Sequence, residues 1–402
     1  MEKIQKFSNS AAFYSVLGFA FFIPISPALM NIFLFLTLIF ILLSGGYKQH
    51  LQMAWHNPVS KAGILLFALF ALGTTWSIAN GNDSYKMLDK YSELWYIALL
   101  MPIFSSPDRQ RKGVNIFLIS MTIILIIVYC IYFGFISEIK IPISANHITT
   151  ISVDGGFRTH IITNILMSFA VFVFAQRLMT SAGIKRYSYA ALCLSSAYYA
   201  LFISTGTTGQ ILTIGLLSLF LIQHFHWKSV LFIPLMLIIM LGNGYLNHQS
   251  SINYTVDKVM GNGNHSGGSA DQRSEFVKNG LLIFAEKPLF GHGTGSFRTL
   301  YSELSDDKIL TKSTVNPHNE YISVAIQLGV VGLIGLIGLF TIQGISSFRI
   351  SDREQRFIAQ GLVALIVVAS LGNSIIMDSG ESHFWVFFSA LLFAPISKRT
   401  HV

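Results

Sequence analysis

Charge is what this sequence has least of. Of 402 residues only 11% are charged, against about 25% in a typical soluble domain, and 52% are hydrophobic. A large free-standing soluble domain is excluded by that balance. Cysteine is nearly absent too. Cys130 and Cys193 each sit inside an apolar run, so neither a disulfide framework nor a thiolate metal site is indicated. Near the N-terminus there is no small-residue cleavage site, and residues 11–25 read as a retained span, not a signal peptide. The glycine-rich run Gly291-His292-Gly293-Thr294-Gly295 lacks the Lys-Ser/Thr and the strand context of a nucleotide loop.

What is abundant is apolar sequence in lengths that cross a bilayer, roughly 17–25 residues each. The expected fold is an all-α polytopic membrane protein of about twelve transmembrane helices, with one long periplasmic loop containing an amphipathic helix. The expected spans are 11–26, 28–44, 61–78, 89–104, 114–136, 158–176, 187–204, 207–223, 229–245, 319–343, 356–374 and 381–397. The organisation is accordingly 1–245 for transmembrane helices one to nine, 246–317 for the periplasmic loop, and 318–402 for helices ten to twelve with a cytoplasmic tail.

A net charge of +8 could suggest nucleic acid, but its distribution does not. With the N-terminus inside, sixteen of the 27 basic residues fall on cytoplasmic segments. Only Lys86, Lys90, Lys140 and Arg158 fall on short outer connections, and the remaining seven lie in the long loop. The positive-inside rule thus puts both termini in the cytoplasm and the long loop outside, and makes membrane lipid, with no nucleic acid, the surrounding partner.

Local punctuation refines this layout. Pro24-Ile25-Ser26-Pro27 turns the first two spans into a hairpin. The long loop begins as flexible polar sequence, Asn262 to Ser269, and continues as an amphipathic helix over 271–287. On that helix Phe276, Leu281, Ile283 and Phe284 are expected against the membrane or the bundle, with Arg273, Lys278 and Glu286 polar. Pro288 and the following glycines force a turn. Gly329, Gly332, Gly335 and Gly338 form a small-residue ridge suited to close helix packing.

The candidate chemistry gathers where this loop meets the bilayer. His318 and Asn319 open the tenth span, where a helix dipole and free N–H groups favour anions such as phosphate. A neutral imidazole can take a proton from a hydroxyl near pH 7, whereas the alternative is a histidine that only caps a helix end. Asn319 either orients His318, binds substrate or caps the helix. Arg273 offers a planar fork to phosphate oxygens, or is a solvated charge. Arg158 heads a span in which His160 and Asn164 follow, and polar groups at that depth usually face a partner or cavity. Lys90 stands at the outer mouth of span four with the same ambiguity. Asp306-Asp307, the His224-Phe225-His226 cluster, Asp378 and Glu381 are weak signals. No Asp-x-Asp motif is present, and Asp378 and Glu381, at an outer helix end, either bind sugar or, as expected here, are solvated charges. No metal site and no cofactor are expected.

His318-Asn319, nine intervening residues, then Gly329-x-x-Gly332 resembles the pattern of the bacterial O-antigen ligase family, which includes related polymerases and protein O-oligosaccharyltransferases. Arg273 with Leu281, then Glu286-Lys287-Pro288-Leu289-Phe290-Gly291-His292-Gly293, looks like that family's loop segment. The likeness is strongest from about 200 to 340. It implies an inverting, metal-independent glycosyltransferase that uses an undecaprenyl diphosphate-linked glycan donor and a lipid A-core acceptor, in the bacterial inner membrane with its site facing the periplasm. It implies His318 as the essential histidine and Arg273 as the loop arginine, with Arg158 and Lys90 matching further basic contacts to the donor. One departure is visible: many relatives carry an arginine after Ser or Thr near the start of span eight, where this chain has Thr205-Gly206-Thr207-Thr208-Gly209. A polymerase or a protein O-oligosaccharyltransferase on the same scaffold is the alternative. A lipid-linked glycan transporter is the rival of a different class, and no discontinuous helix or internal repeat is evident in its favour.

Overall fold

The computed structural model describes residues 2–144, 147–225, 269–304 and 316–394. Its helices are α1 (Glu2–Phe22), α2 (Pro27–Ser44), α3 (Tyr47–His56), α4 (Pro58–Gly73), α5 (Gly81–Tyr91), α6 (Leu94–Leu100), α7 (Pro107–Tyr132), α8 (His160–Thr180), α9 (Gly183–Tyr198), α10 (Thr207–Phe225), α11 (Ser269–Glu286), α12 (Phe297–Leu304), α13 (Glu320–Ser347), α14 (Arg353–Ala369) and α15 (Ser379–Phe393). Among the described residues six segments are long and apolar enough to cross a membrane: Pro27–Ser44, Pro58–Trp76, Pro107–Tyr132, His160–Thr180, Thr207–Phe225 and Glu320–Ser347. The expected span 229–245, the first third of the long loop, His226 and the pair Asp306-Asp307 lie outside the described residues.

The helix starts follow from local chemistry. Proline occupies the first turn of α2, α4 and α7, where its missing N–H would have no partner anyway. The residue before each proline caps it: Ser26, Asn57 and Ser106 accept backbone N–H groups of the first turn.

The chain divides into two units. The first comprises Met1–Tyr47, Ile103–Gly263 and Ser351–Leu365. Here α1 and α2 form the hairpin that the two prolines dictate, and α8 is buried along nearly its whole length. Polar side chains lock α8 to α10, with Ser168 Oγ 3.0 Å from the Gly209 carbonyl oxygen and 2.8 Å from Thr213 Oγ1. Gln176 donates to Gln223 at 2.8 Å, and Gln223 to Gln360 of α14 at 2.9 Å. Such interhelical bonds are worth about 1 kcal/mol each where no water competes. Cys130 and Cys193 are both free thiols. A short hairpin, β1 (Ile139–Ser144) with β2 (His147–Ile151), lies between α7 and α8.

The second unit comprises Lys48–Pro102, Asn264–Ile350 and Ile366–Val402. The expected fourth span, 89–104, is divided here: α5 ends at Tyr91, and α6 holds only seven residues before a 3₁₀ turn over Met101–Phe104. Seven residues rise about 10 Å, a third of the hydrocarbon thickness. The expected amphipathic helix 271–287 is present as α11. Its inward face carries Phe276, Gly280 and Ile283 at helical spacing, and these pack with Phe297 and Tyr301 of α12 on Ile322 and Ile326 of α13. Gly280 lets the helices touch, since a Cβ there would lie 2.4 Å from Ile322 Cγ2. Leu281, by contrast, is exposed together with Leu282, Leu289 and Phe290.

The glycine ridge is where expectation and structure part. Gly329 packs closely, but against a loop and not a helix, and its φ of 66° breaks α13 in two. The break is closed by the loop that follows α11. Val330 and Val331 donate to the carbonyls of Pro288 and Leu289 at 2.8 and 3.3 Å, and the carbonyls of Ile326 and Gln327 accept from His292 and Gly293, each at 2.9 Å. Two N–H and two carbonyl groups at the interruption are thereby paired, as an apolar surrounding demands. A side chain at 329 would stand 2.3 Å from the Leu289 carbonyl oxygen. Of the other ridge glycines, Gly335 approaches Leu66 and Leu69 of α4, and Gly338 faces open space.

Candidate functional site

Four of the five expected site residues, Lys90, Arg273, His318 and Asn319, belong to the second unit; Arg158 belongs to the first. The second unit therefore defines the geometry that can be described.

His318 sits at the turn into α13. Among the described residues it is the one non-glycine with positive φ, 50°. Histidine tolerates that region better than a branched residue, yet such a conformation is held only when its surroundings over-determine it. Here they do. Asn316 Oδ1 accepts the His318 N–H at 2.7 Å, an Asx turn closed around Pro317. The same oxygen accepts Ser374 Oγ–H at 2.6 Å, and Asn316 Nδ2 donates to both carboxylate oxygens of Asp378, at 3.2 and 3.1 Å.

On the other side stands α11. Arg273 and Phe276 are three residues apart, hence on one helical face. The Phe276 ring centroid lies 6.0 Å from that of His318, and the Arg273 charge is near enough to act on the imidazole. Burial, and after it the positive charge of Arg273, lower the His318 pKa below the ordinary 6.5. Both influences favour the neutral ring. Burial also lowers the Arg273 pKa from its usual value, though guanidinium remains charged at any physiological pH.

Asn319 caps α13. Its Oδ1 accepts the Ile322 N–H at 3.0 Å and its Nδ2 donates to the Leu371 carbonyl at 3.0 Å. Of the three roles open to it in sequence, capping is the one this geometry displays. Lys90 is half-buried and its charge acts on Asp378. Burial is the leading influence on Asp378 and raises its pKa, against the Lys90 charge and the Asn316 amide. Asp378 was expected to be solvated and is instead the bonded partner of Asn316; Glu381, likewise expected at the surface, is 7% exposed.

Beneath the turn lies a polar floor. The Glu320 side chain is fully buried and accepts Tyr91 Oη–H and the Ile376 N–H, both at 3.0 Å. Glu93 pairs with His383 at 3.1 Å and accepts the Ser382 hydroxyl. These residues, with Asn316 and Ser374, are not among the candidates that the sequence offers, although Asn-Pro-His carries the Asx-turn signal for Asn316. Among the described residues no three His, Cys, Asp or Glu side chains gather as a metal site would require.

In the first unit Arg158 is half-buried, and its N–H donates to the Gly155 carbonyl at 3.0 Å. Asp154 beside it binds Thr205 through both its backbone N–H and its hydroxyl, at 2.8 and 2.7 Å.

The arrangement in the second unit joins a neutral, conformationally fixed imidazole to a permanent cation. That pair suits proton abstraction from a hydroxyl beside a bound anion. Residues 190–337 match the family model described as O-Antigen ligase. The matched stretch begins in α9 and ends within α13, so it takes in Arg273, His318, Asn319 and Gly329 but neither Lys90 nor Arg158. A search of curated proteins finds no match.

Proposed function

From the O-antigen ligase family segment at residues 190–337, we propose that this chain is an O-antigen ligase. It transfers a glycan from undecaprenyl diphosphate to lipid A-core, with inversion and without a metal. The segments 1–245, 246–317 and 318–402 are respectively the first nine transmembrane helices, a periplasmic loop, and the last three with a cytoplasmic tail. About twelve crossings place both termini in the cytoplasm of a bacterial inner membrane and the site on the periplasmic side.

The observation that carries this reading is His318, fixed at positive φ with its ring centroid 6.0 Å from that of Phe276, on the helix α11 that also carries Arg273. His318 takes the proton of the acceptor hydroxyl as that oxygen attacks the anomeric carbon. The bond from that carbon to the diphosphate oxygen breaks, and the electron pair leaves with the diphosphate. Arg273 bears on the departing group, and its bonds strengthen as charge accumulates there, which lowers the barrier. Lys90 is a further donor contact, and Arg158 enters from its sequence position alone. Asn319 supports the site from the helix cap. The diphosphate is already a good leaving group, so neither nucleotide nor metal is needed at this stage.

The decisive assay uses purified full-length protein in vesicles with a lipid-diphosphate glycan and lipid A-core. A new glycosidic bond on the core supports the ligase. A bond to a second lipid-linked repeat makes the chain a polymerase, and glycan attached to protein makes it an O-oligosaccharyltransferase. A relocated but uncleaved donor makes it a transporter. The interrupted helix does not favour transport, because its free groups are taken by the chain's own loop instead of being left for a ligand.

A further inference from the structure

We infer that Asn316 and Asp378 form a positioning pair that holds the His318 imidazole in its working orientation. The inference rests on the proposed role of His318 as base and adds the device that aims it. His318 has φ of 50°, a conformation unfavourable to an L-residue that persists only where neighbours impose it. One contact imposes it directly: the 2.7 Å bond from the His318 N–H to Asn316 Oδ1.

That oxygen must itself be fixed, because an asparagine amide otherwise rotates through its two-fold torsion. Three further bonds fix it. Ser374 Oγ–H donates to the same Oδ1 at 2.6 Å, and the donor-only His318 N–H with the acceptor-only Asp378 carboxylate determines which end of the amide is the oxygen. The Nδ2 group then reaches both oxygens of Asp378 at 3.2 and 3.1 Å. Asn316 is 8% exposed, and Ser374 is wholly buried, so water does not compete for these partners. Asp378 is in turn the N-terminal flank of α15, and the Ser382 N–H donates to its carbonyl at 3.0 Å. The turn that presents His318 is thereby anchored 62 residues away in sequence, on the helix lead-in of α15. Without this anchor the peptide at 318 relaxes to negative φ and the ring swings away from Phe276 and Arg273 on α11. Neither Asn316 nor Asp378 touches substrate in this scheme; both act through His318.

The test is steady-state glycan transfer by the purified full chain, with Asn316→Ala, Asp378→Asn, Asn316→Asp and the swap Asn316→Asp/Asp378→Asn. In the swap, the carboxylate at 316 still accepts from His318 and Ser374, and the amide at 378 donates back. Each single change is expected to lower kcat by about 10–10²-fold, the scale of a 1 Å misplacement of a reacting group, with donor KM nearly unchanged. The swap should recover most of the loss, because a coupled pair is non-additive. Ser374→Ala, a milder change, should lower kcat several-fold and keeps the question open to measurement if Asn316→Ala fails to fold. His318→Ala runs in parallel. An active His318→Ala variant removes the proposed function itself. An inactive His318→Ala beside a fully active Asn316→Ala, or a swap no better than its worse single variant, overturns this inference alone.

Discussion

The side-chain carbonyl of Gln327 accepts the backbone N–H of Gly295 at 2.8 Å, while its amide donates to Ser323 one turn back. One buried glutamine thus ties the glycine loop to the helix that carries His318. Replacing Gln327 with leucine keeps the volume but strands the Gly295 N–H. The expected loss is about 1–3 kcal/mol, the penalty for an unsatisfied buried donor. A lowered thermal midpoint of the detergent-purified protein is the measurement, and an unchanged midpoint would contradict the assignment.

Gly329→Ala should be worse. The position has φ of 66°, and the new methyl would stand 2.3 Å from a carbonyl oxygen of the docked loop. Backbone strain and steric conflict add, so destabilisation above about 2 kcal/mol is expected. Gly338→Ala, where nothing lies within 4 Å, is the matched control and should leave the melting profile as it is.

His318→Ala should insert and fold normally, since its ring is only half-buried at a helix entrance. Transfer should fall by at least about 10²-fold, the lower range for loss of a general base. Single-turnover transfer to lipid A-core measures it.

Arg273→Lys should impair donor use far more than charge conservation suggests, because an ammonium cannot reproduce bidentate contact with phosphate. The effect belongs in the donor KM and kcat, with acceptor KM little altered. Isothermal titration with the diphosphate lipid would settle whether binding has been lost.

The pH dependence follows from His318. Its pKa lies below 6.5 in the free protein, so the base is competent at neutral pH and is lost on acidification through that lowered value. A bound diphosphate offsets the Arg273 charge, one of the two causes of the lowering. The acid limb of kcat, which reports the donor-bound state, should therefore lie at higher pH than that of kcat/KM, which reports the free enzyme. Coincident limbs would separate the arginine from the histidine.

Much of this was legible in sequence where signals are local. The amphipathic helix announces itself through Phe276, Leu281, Ile283 and Phe284 against Arg273, Lys278 and Glu286, and Asn-Pro-His carries an Asx-turn signal. The glycine ridge misleads because spacing alone cannot tell a glycine chosen for small size from one chosen for positive φ: Gly335 is the former, Gly329 the latter. The division between α5 and α6 is hidden, since neither proline nor glycine marks Ser92-Glu93, where the polar α5 gives way to the apolar α6. Asp378 reads as a solvated charge because its partner, Asn316, is supplied by a distant stretch of chain.

The docked loop also fixes an order of events during biosynthesis. Residues 288–293 leave the ribosome before α13, and they supply the partners for the amides and carbonyls on either side of Gly329. Until that loop has met the nascent helix, the Val330 and Val331 N–H groups and the Ile326 and Gln327 carbonyls lack these partners in an apolar run, at several kcal/mol apiece. Docking of the loop is thus a precondition for completing the helix behind it. A chain stalled at that step would expose the bare groups to membrane quality control before any site had formed.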